Sequence, residues 1–340
     1  MWQLLAQNKI ITLLEHELKA GQLPHANLIS GPHSIGKMTL ALDIAQALNC
    51  EEKEPPCGSC RACLRIKAGK HPDIHIIDLD NESQDQRKQE VKIGIEHIKD
   101  IQSGAKTPTY EGKYKVFIIN GAENFSIDAA NTLLKTIEEP PPQVVILLLA
   151  VSEAEVLPTI VSRCQRIELL PLPGNQITNM LIERYHIAPS RAEFLARIAH
   201  GCPGWAINAL QDDKVLTERS QILDTLIEII GADIEKRLNF AGYLANEFSR
   251  NRRSLNTFFA LWSDWWRDLF LVKERHKEFI INIDREEELV QQAAHLTTRQ
   301  ITDFIRDMQK LRSNLVQNAN PHLVFELLML NAPSTQTPVH

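Results

Sequence analysis

Two groups of residues have the types and spacing to do chemistry. The first is Cys50, Cys57, Cys60 and Cys63. Four thiolates close a tetrahedral shell around Zn²⁺ and leave no position for water, so a metal held there is structural. The Cys-x2-Cys steps, with Gly58-Ser59 and Arg61-Ala62 between them, are expected to be compact turns that bring the sulfurs onto one ion. Four reduced thiols without an ion are the plainer alternative, and His71 is a competing ligand. The second group is Gly31-Pro32-His33-Ser34-Ile35-Gly36-Lys37-Met38, a phosphate-binding loop in all but its last position. Gly31 and Gly36 let backbone N–H groups curl round phosphate oxygens, and Lys37 reaches the terminal phosphates. The Ser or Thr that holds Mg²⁺ is replaced by Met38, and a thioether is a poor ligand for a hard cation. Thr39 carries a hydroxyl one residue later, about a quarter turn round a helix. Gly31, Gly36, Lys37 and Thr39 are thus candidate contacts for ATP or ADP. A glycine turn before a helix, with no ligand, is the alternative.

A second nucleotide element is damaged as well. The apolar stretch 116–119 reads as a strand, and an active ATPase follows it with Asp-Glu. The aspartate organises Mg²⁺ and the glutamate polarises the attacking water. Here the residues are Asn120-Gly121, and Glu123 stands two positions beyond, where it need not aim at the same place. Two separate losses in one site predict no intrinsic ATPase.

The elements that must position these groups follow from periodicity. Helical spacing covers 4–18, 38–48 and 127–138, and apolar runs at 26–29, 115–120 and 144–150 read as buried strands, with a further strand at 166–169. Strands alternating with helices predict an α/β fold with a mostly parallel sheet covered on both faces. Beyond about residue 172 the strand signals fade. Short helices are expected at 177–185 and 191–199, then a break at Gly201-Cys202-Pro203-Gly204, then amphipathic stretches at 220–230, 255–273 and 298–317. The Pro, Ser and Thr rich tail is expected to be disordered.

Bulk properties limit the function classes. A length of 340 residues suggests two or three domains. The net charge of −6 argues against a protein that coats nucleic acid by bulk electrostatics. The longest apolar run, 144–151, is too short to span a bilayer. The opening Met1-Trp2-Gln3-Leu4 carries no basic segment before an apolar stretch, so neither signal peptide nor membrane is expected and the chain is read as cytoplasmic.

His25-Ala26, the cysteine cluster, His71-Pro72-Asp73, the run Leu133-Leu134-Lys135-Thr136-Ile137-Glu138-Glu139-Pro140-Pro141 and the run Leu157-Pro158-Thr159-Ile160-Val161-Ser162-Arg163-Cys164 together resemble bacterial DNA polymerase III clamp-loader subunits. The resemblance is dense from Trp2 to about Leu210. It is thinner beyond, reaching Trp262-Ser263-Asp264-Trp265-Trp266-Arg267-Asp268 and Asn318-Ala319-Asn320-Pro321. It implies an α/β AAA+ P-loop domain over 1–170 with a zinc module inserted at 50–63. A small helical lid domain at 171–210, an all-helical oligomerisation collar at 211–331 and a disordered tail at 332–340 complete the implied organisation. The implied partners are gamma/tau and delta clamp-loader subunits, the sliding clamp, and primed DNA reached through the assembled complex.

Within that family Met38, Asn120 and Gly121 favour the non-hydrolysing delta-prime type over the hydrolysing gamma/tau type. So does Gly204, where gamma/tau-like chains carry a nucleotide-sensing arginine, and so does the lack of a tau-like extension. The resemblance implies that Arg163 is catalytic in trans, reaching the ATP of a neighbouring subunit. A guanidinium there stabilises charge on the transferring phosphoryl group, with an effect of about 10³–10⁵ in rate for arginine fingers. An ordinary surface arginine is the alternative. Such a chain does not polymerise DNA itself; it is a component of a DNA-directed DNA polymerase holoenzyme. A hydrolysing subunit with unusual metal ligation and a zinc-bearing nucleic-acid-binding regulator are the rival readings. Phosphate contacts to DNA would come from helix starts such as those near Ile93 or Ser126. Trp262, Trp265, Trp266, Leu269 and Phe270 read first as core and second as collar surface, and Leu311, Leu315, Leu323, Leu327 and Leu328 fit either role.

Overall fold

A computed structural model describes residues 2–78, 93–250, 252–317 and 319–333. The expected tail therefore lies, from residue 334 onward, outside the described residues. The chain divides into two compact units, residues 1–184 with 199–205, and residues 185–198 with 206–340.

The first unit is built on a five-stranded sheet. Its strands are β1 (Ala26–Ser30), β2 (Ile74–Asp78), β3 (Lys115–Asn120), β4 (Val144–Ala150) and β5 (Gln165–Glu168), in spatial order β2-β3-β4-β1-β5. Every pairing is parallel. The sequence pattern dictates this burial. All seven residues of β4 are buried, and alternate residues of the inner strands enter two different cores. Leu28, Phe117, Ile119, Ile146 and Leu148 point to one side, and Ile29, Val116, Ile118, Val145 and Leu147 to the other. Period-2 alternation on a sheet covered on both faces requires this division.

Helix α1 (Asn8–Lys19) starts four residues later than the periodicity suggests. The segment before it is pinned instead, because the buried carboxylate of Asp43 accepts the N–H groups of Gln3 (2.7 Å) and Leu4 (2.9 Å). Asp43 belongs to α2 (Lys37–Asn49). Then come α3 (Arg61–Lys67), α4 (Ile95–Lys106), α5 (Ile127–Glu138), α6 (Pro158–Val161) and α7 (Gly174–Tyr185). Strand β2 was not evident from the sequence. It lies at the sheet edge with the burial pattern of a partly exposed strand, so its apolar signal is weak.

The second unit contains α8 (Pro189–Ile198), α10 (Asp213–Gly231), α11 (Ile234–Arg250), α12 (Arg252–Lys273), α13 (Glu286–His295), α14 (Thr298–Val316) and α15 (Pro321–Asn331). Helix α9 (Pro203–Gln211) begins inside the segment read as a break. Proline at the first helical position starts a helix without loss, since its missing N–H would be unpaired there. Trp262, Trp265 and Trp266 are fully buried, so the aromatic stripe is core. Leu311, Leu315 and Leu328 join them, whereas Leu323 and Leu327 are 58% and 49% exposed. The Trp262-to-Asp268 run ends in a buried polar network. Asp268 accepts from the N–H groups of Ile281 and Asn282 and from the Asn282 amide, and Arg219 donates to Asn282 Oδ1 and to Asp284. Among the described residues no helix is long and apolar enough to cross a membrane.

Candidate functional site

The glycine-bearing loop from Gly31 to Gly36 joins β1 to α2, the strand–turn–helix context that a phosphate-binding motif requires. Gly31 (φ +151°) and Gly36 (φ +112°) hold conformations that L side chains rarely adopt, and a Cβ on Gly31 would lie 2.6 Å from the Leu169 carbonyl oxygen. That glycine is thus needed for close approach of the chain after β5, whether or not phosphate binds. Lys37 folds back on the loop. Its Nζ donates to the carbonyls of Gly31 (2.6 Å) and Pro32 (2.9 Å). Burial lowers its pKa, while the charges of Glu123 and Cys202 pull it up. Met38 packs against the apolar core beside α2, and Thr39 sits half-buried in the helix's first turn. Position 38, where the motif carries a hydroxyl, is thus filled by a side chain that packs.

At the end of β3, Asn120 Nδ2 donates to Asp78 Oδ1 at 3.2 Å. Gly121 then turns the chain with φ +85°. The turn places Glu123 so that its charge acts on Lys37, although one of its oxygens, Oε2, is buried without a hydrogen-bond partner. Sequence spacing alone does not connect Glu123 with Lys37, which lie on different elements. The turn at Gly201–Gly204 also lies on the loop. The Gly204 N–H donates to the Ser34 carbonyl at 2.9 Å, and a Cβ at 204 would meet that oxygen at 2.6 Å. No larger residue fits position 204 without moving backbone.

The four cysteines converge. The Sγ atoms of Cys50, Cys57, Cys60 and Cys63 all lie within 4.8 Å of one another, with Cys57 and Cys63 at 3.9 Å. Sulfurs bound tetrahedrally at about 2.3 Å from zinc stand about 3.8 Å apart, so the set fits that ion. Cys57 Sγ accepts from the N–H groups of Cys60 (3.2 Å) and Ser59 (3.4 Å), which bring its pKa down to about 6. Burial pushes Cys63 and Cys50 up. Of the two expected turns, the second is helical: Cys60 is the N-cap of α3 and Cys63 lies in its first turn. Buried His71 is engaged elsewhere, its Nδ1 accepting from the Asp73 N–H at 3.2 Å. Asp73 in turn accepts from the N–H groups of Tyr110, Glu111 and Gly112 at 2.7–2.9 Å. His71-Pro72-Asp73 is therefore a clasp on the loop before β3. Cys164 and Cys202 lie outside the cluster.

Arg163 follows α6 and is 40% exposed. Its Nε donates to Glu138 Oε1 at 2.6 Å, and Nη1 donates to the Thr159 carbonyl and to Ser162 Oγ. Glu138 is the last residue of α5, a helix capped at its start by Ser126, whose Oγ accepts from the Ala129 N–H at 3.1 Å. The sequence placed Glu138 in a motif but gave it no role. The helix start expected near Ile93 is that of α4, with Gly94 as N-cap.

The sequence family described as DNA polymerase III, delta subunit matches residues 6–173. The DNA polymerase III subunit delta-prime of Bacillus subtilis is 27% identical over 329 residues, covering 95% of each chain. That of Pseudomonas aeruginosa is 30% identical over 261 residues, covering 76% of this chain and 75% of its own. The tau subunit of Escherichia coli is 33% identical over 222 residues, 63% of this chain but 32% of its own length.

Proposed function

The chain belongs to the delta-prime family of DNA polymerase III clamp-loader subunits, and from that premise we propose that it is a non-hydrolysing AAA+ scaffold that lends Arg163 to a neighbouring ATPase subunit. The carrying observation is the contrast between two sites in one chain. The chain's own loop has Met38 and Asn120-Gly121 in place of the groups that handle metal and water, and its Lys37 is held by the loop's own carbonyls. Arg163, by contrast, is 40% exposed and carries a planar guanidinium suited to phosphate oxygens. The subunit would complete a site that it cannot run itself. In doing so it would help to load the sliding clamp on primed DNA together with gamma/tau and delta subunits.

The remaining parts have supporting roles in this reading. Zn²⁺ held by Cys50, Cys57, Cys60 and Cys63 would fix the loop between α2 and α3, with no open position for catalysis. Residues 171–210 would act as the lid and 211–331 as the oligomerising collar. Leu323, Leu327 and Leu330 support the collar assignment, because they share one face of α15 at helical spacing and stay 58%, 49% and 53% exposed. The close match to part of tau favours a second reading, a hydrolysing subunit. Steady-state ATPase of the purified chain separates the two. The proposal expects no turnover above that of Lys37→Ala. Turnover that Lys37→Ala abolishes would replace it with the hydrolysing reading.

A further inference from the structure

We infer that Glu138 is a positioning residue for Arg163: it holds the guanidinium by Nε so that only the Nη2 edge is offered to an anion outside the chain. The inference rests on the proposed trans role of Arg163 and adds to it the group that sets the arginine's geometry. An arginine on a surface samples many rotamers, and each one that misses its target is lost time for catalysis. Here three of the five N–H donors have partners. Nε–H meets Glu138 Oε1 at 2.6 Å, and Nη1 meets the Thr159 carbonyl at 3.1 Å and Ser162 Oγ at 3.2 Å. Among the described residues Nη2 makes no hydrogen bond. The guanidinium is planar, so fixing Nε and Nη1 fixes the direction in which Nη2 points.

The stability of the fold does not account for this pair. The two side chains are 40% and 49% exposed, and exposed ion pairs contribute little to stability. The partners also come from separate elements, Glu138 ending α5 and Arg163 following α6, so the contact is not an incidental neighbour on one helix. Restricting the side chain in advance removes ordering that would otherwise be needed when the neighbour's phosphate arrives. A residue acting this way changes the catalytic rate and leaves ATP affinity alone.

The test uses the complete assembly, reconstituted with its sister subunits, clamp and primed DNA. Steady-state ATPase is measured with the native chain, Arg163→Ala, Glu138→Ala, Glu138→Gln and the Glu138→Ala/Arg163→Ala double variant. Glu138→Ala should lower kcat by about three- to tenfold, the size expected for releasing one ordered, rotamer-rich side chain, with KM for ATP unchanged. Glu138→Gln keeps an oxygen that accepts from Nε and should retain more than half of the native rate. The double variant should match Arg163→Ala alone, because Glu138 has nothing to position once the arginine is gone. A fall with Arg163→Ala but none with Glu138→Ala overturns the inference and leaves the trans arginine standing. A further loss in the double variant also overturns it, since Glu138 would then act by another route. An unchanged rate with Arg163→Ala removes the trans role and the inference with it. Thermal melting of Glu138→Ala alone, expected to match the native chain, keeps misfolding from imitating the result.

Discussion

Replacing Asp268 by alanine tests whether the aromatic run of the helical unit is structural. The Asp268 side chain is fully buried and accepts from the N–H groups of Ile281 (2.9 Å) and Asn282 (2.8 Å) and from the Asn282 amide (2.8 Å). Burial pushes its carboxyl pKa up, against the pull of these donors and of Arg267. Alanine removes the acceptor from the N–H groups of Ile281 and Asn282 and from the Asn282 amide, each costing about 1–3 kcal/mol when buried, while Arg267, whose Nη1 also meets Asp268 Oδ1 at 3.2 Å, keeps the Phe279 carbonyl. Water entering the cavity recovers part of that, and breaking a buried charge network by removing one member typically costs about 3–5 kcal/mol. We expect a loss of about 4 kcal/mol on these grounds. Asparagine keeps one acceptor oxygen and should lose about half as much. Urea unfolding followed by tryptophan fluorescence suits the measurement, because Trp262, Trp265 and Trp266 are three of the five tryptophans and all lie in this core. A transition within about 1 kcal/mol of the native chain would refute the reasoning, since it would mean that the donors find other partners at no cost.

Other outcomes follow from the same structure. Purified chain should carry one Zn²⁺, released by Cys60→Ser as read by a metal-indicator dye. Loss of the ion should lower the melting temperature of the first unit, since structural zinc contributes about 10–16 kcal/mol in small peptides. Burial lowers the His71 pKa below its ordinary value, despite the pull of Glu111 and Asp73. The unfolded chain therefore takes up a proton that the folded chain resists, and stability must fall as pH drops below about 6.5. His71→Gln should flatten that part of the stability profile in denaturation experiments at pH 7.5 and 5.5. Leu327→Glu, which places a charge on the exposed face of α15, should leave the melting curve of the chain unchanged and weaken its assembly with sister subunits in sedimentation.

Where local pattern and burial agree, the sequence was legible. Strands β3 and β4 and helix α5 fall on the residues that the apolar spacing assigns, and the cysteines converge as their spacing suggests. What escaped depends on contacts distant in sequence. The start of α1 is set by Asp43, about 40 residues away, and the edge strand β2 has no continuous apolar run to betray it. The same holds in the site. Arg163 could be singled out, but its pairing with Glu138 spans 25 residues and two helices. Gly204 is visible in the sequence as a break residue, but the close approach of the Ser34 carbonyl that leaves no room for a side chain there is not. Leu323 and Leu328 have the same residue type on one helix, and only packing against the tryptophan core tells the exposed one from the buried one.

The central claim is that this chain completes a neighbour's active site with Arg163. The direct measurement is the steady-state ATPase rate of the reconstituted clamp loader with clamp and primed DNA, comparing the native chain with Arg163→Ala at matched assembly. A fall of about tenfold or more is predicted, because an arginine finger contributes about 10³–10⁵ in rate at the site that it serves. An unchanged rate in an intact assembly would contradict the claim and leave the chain a scaffold alone.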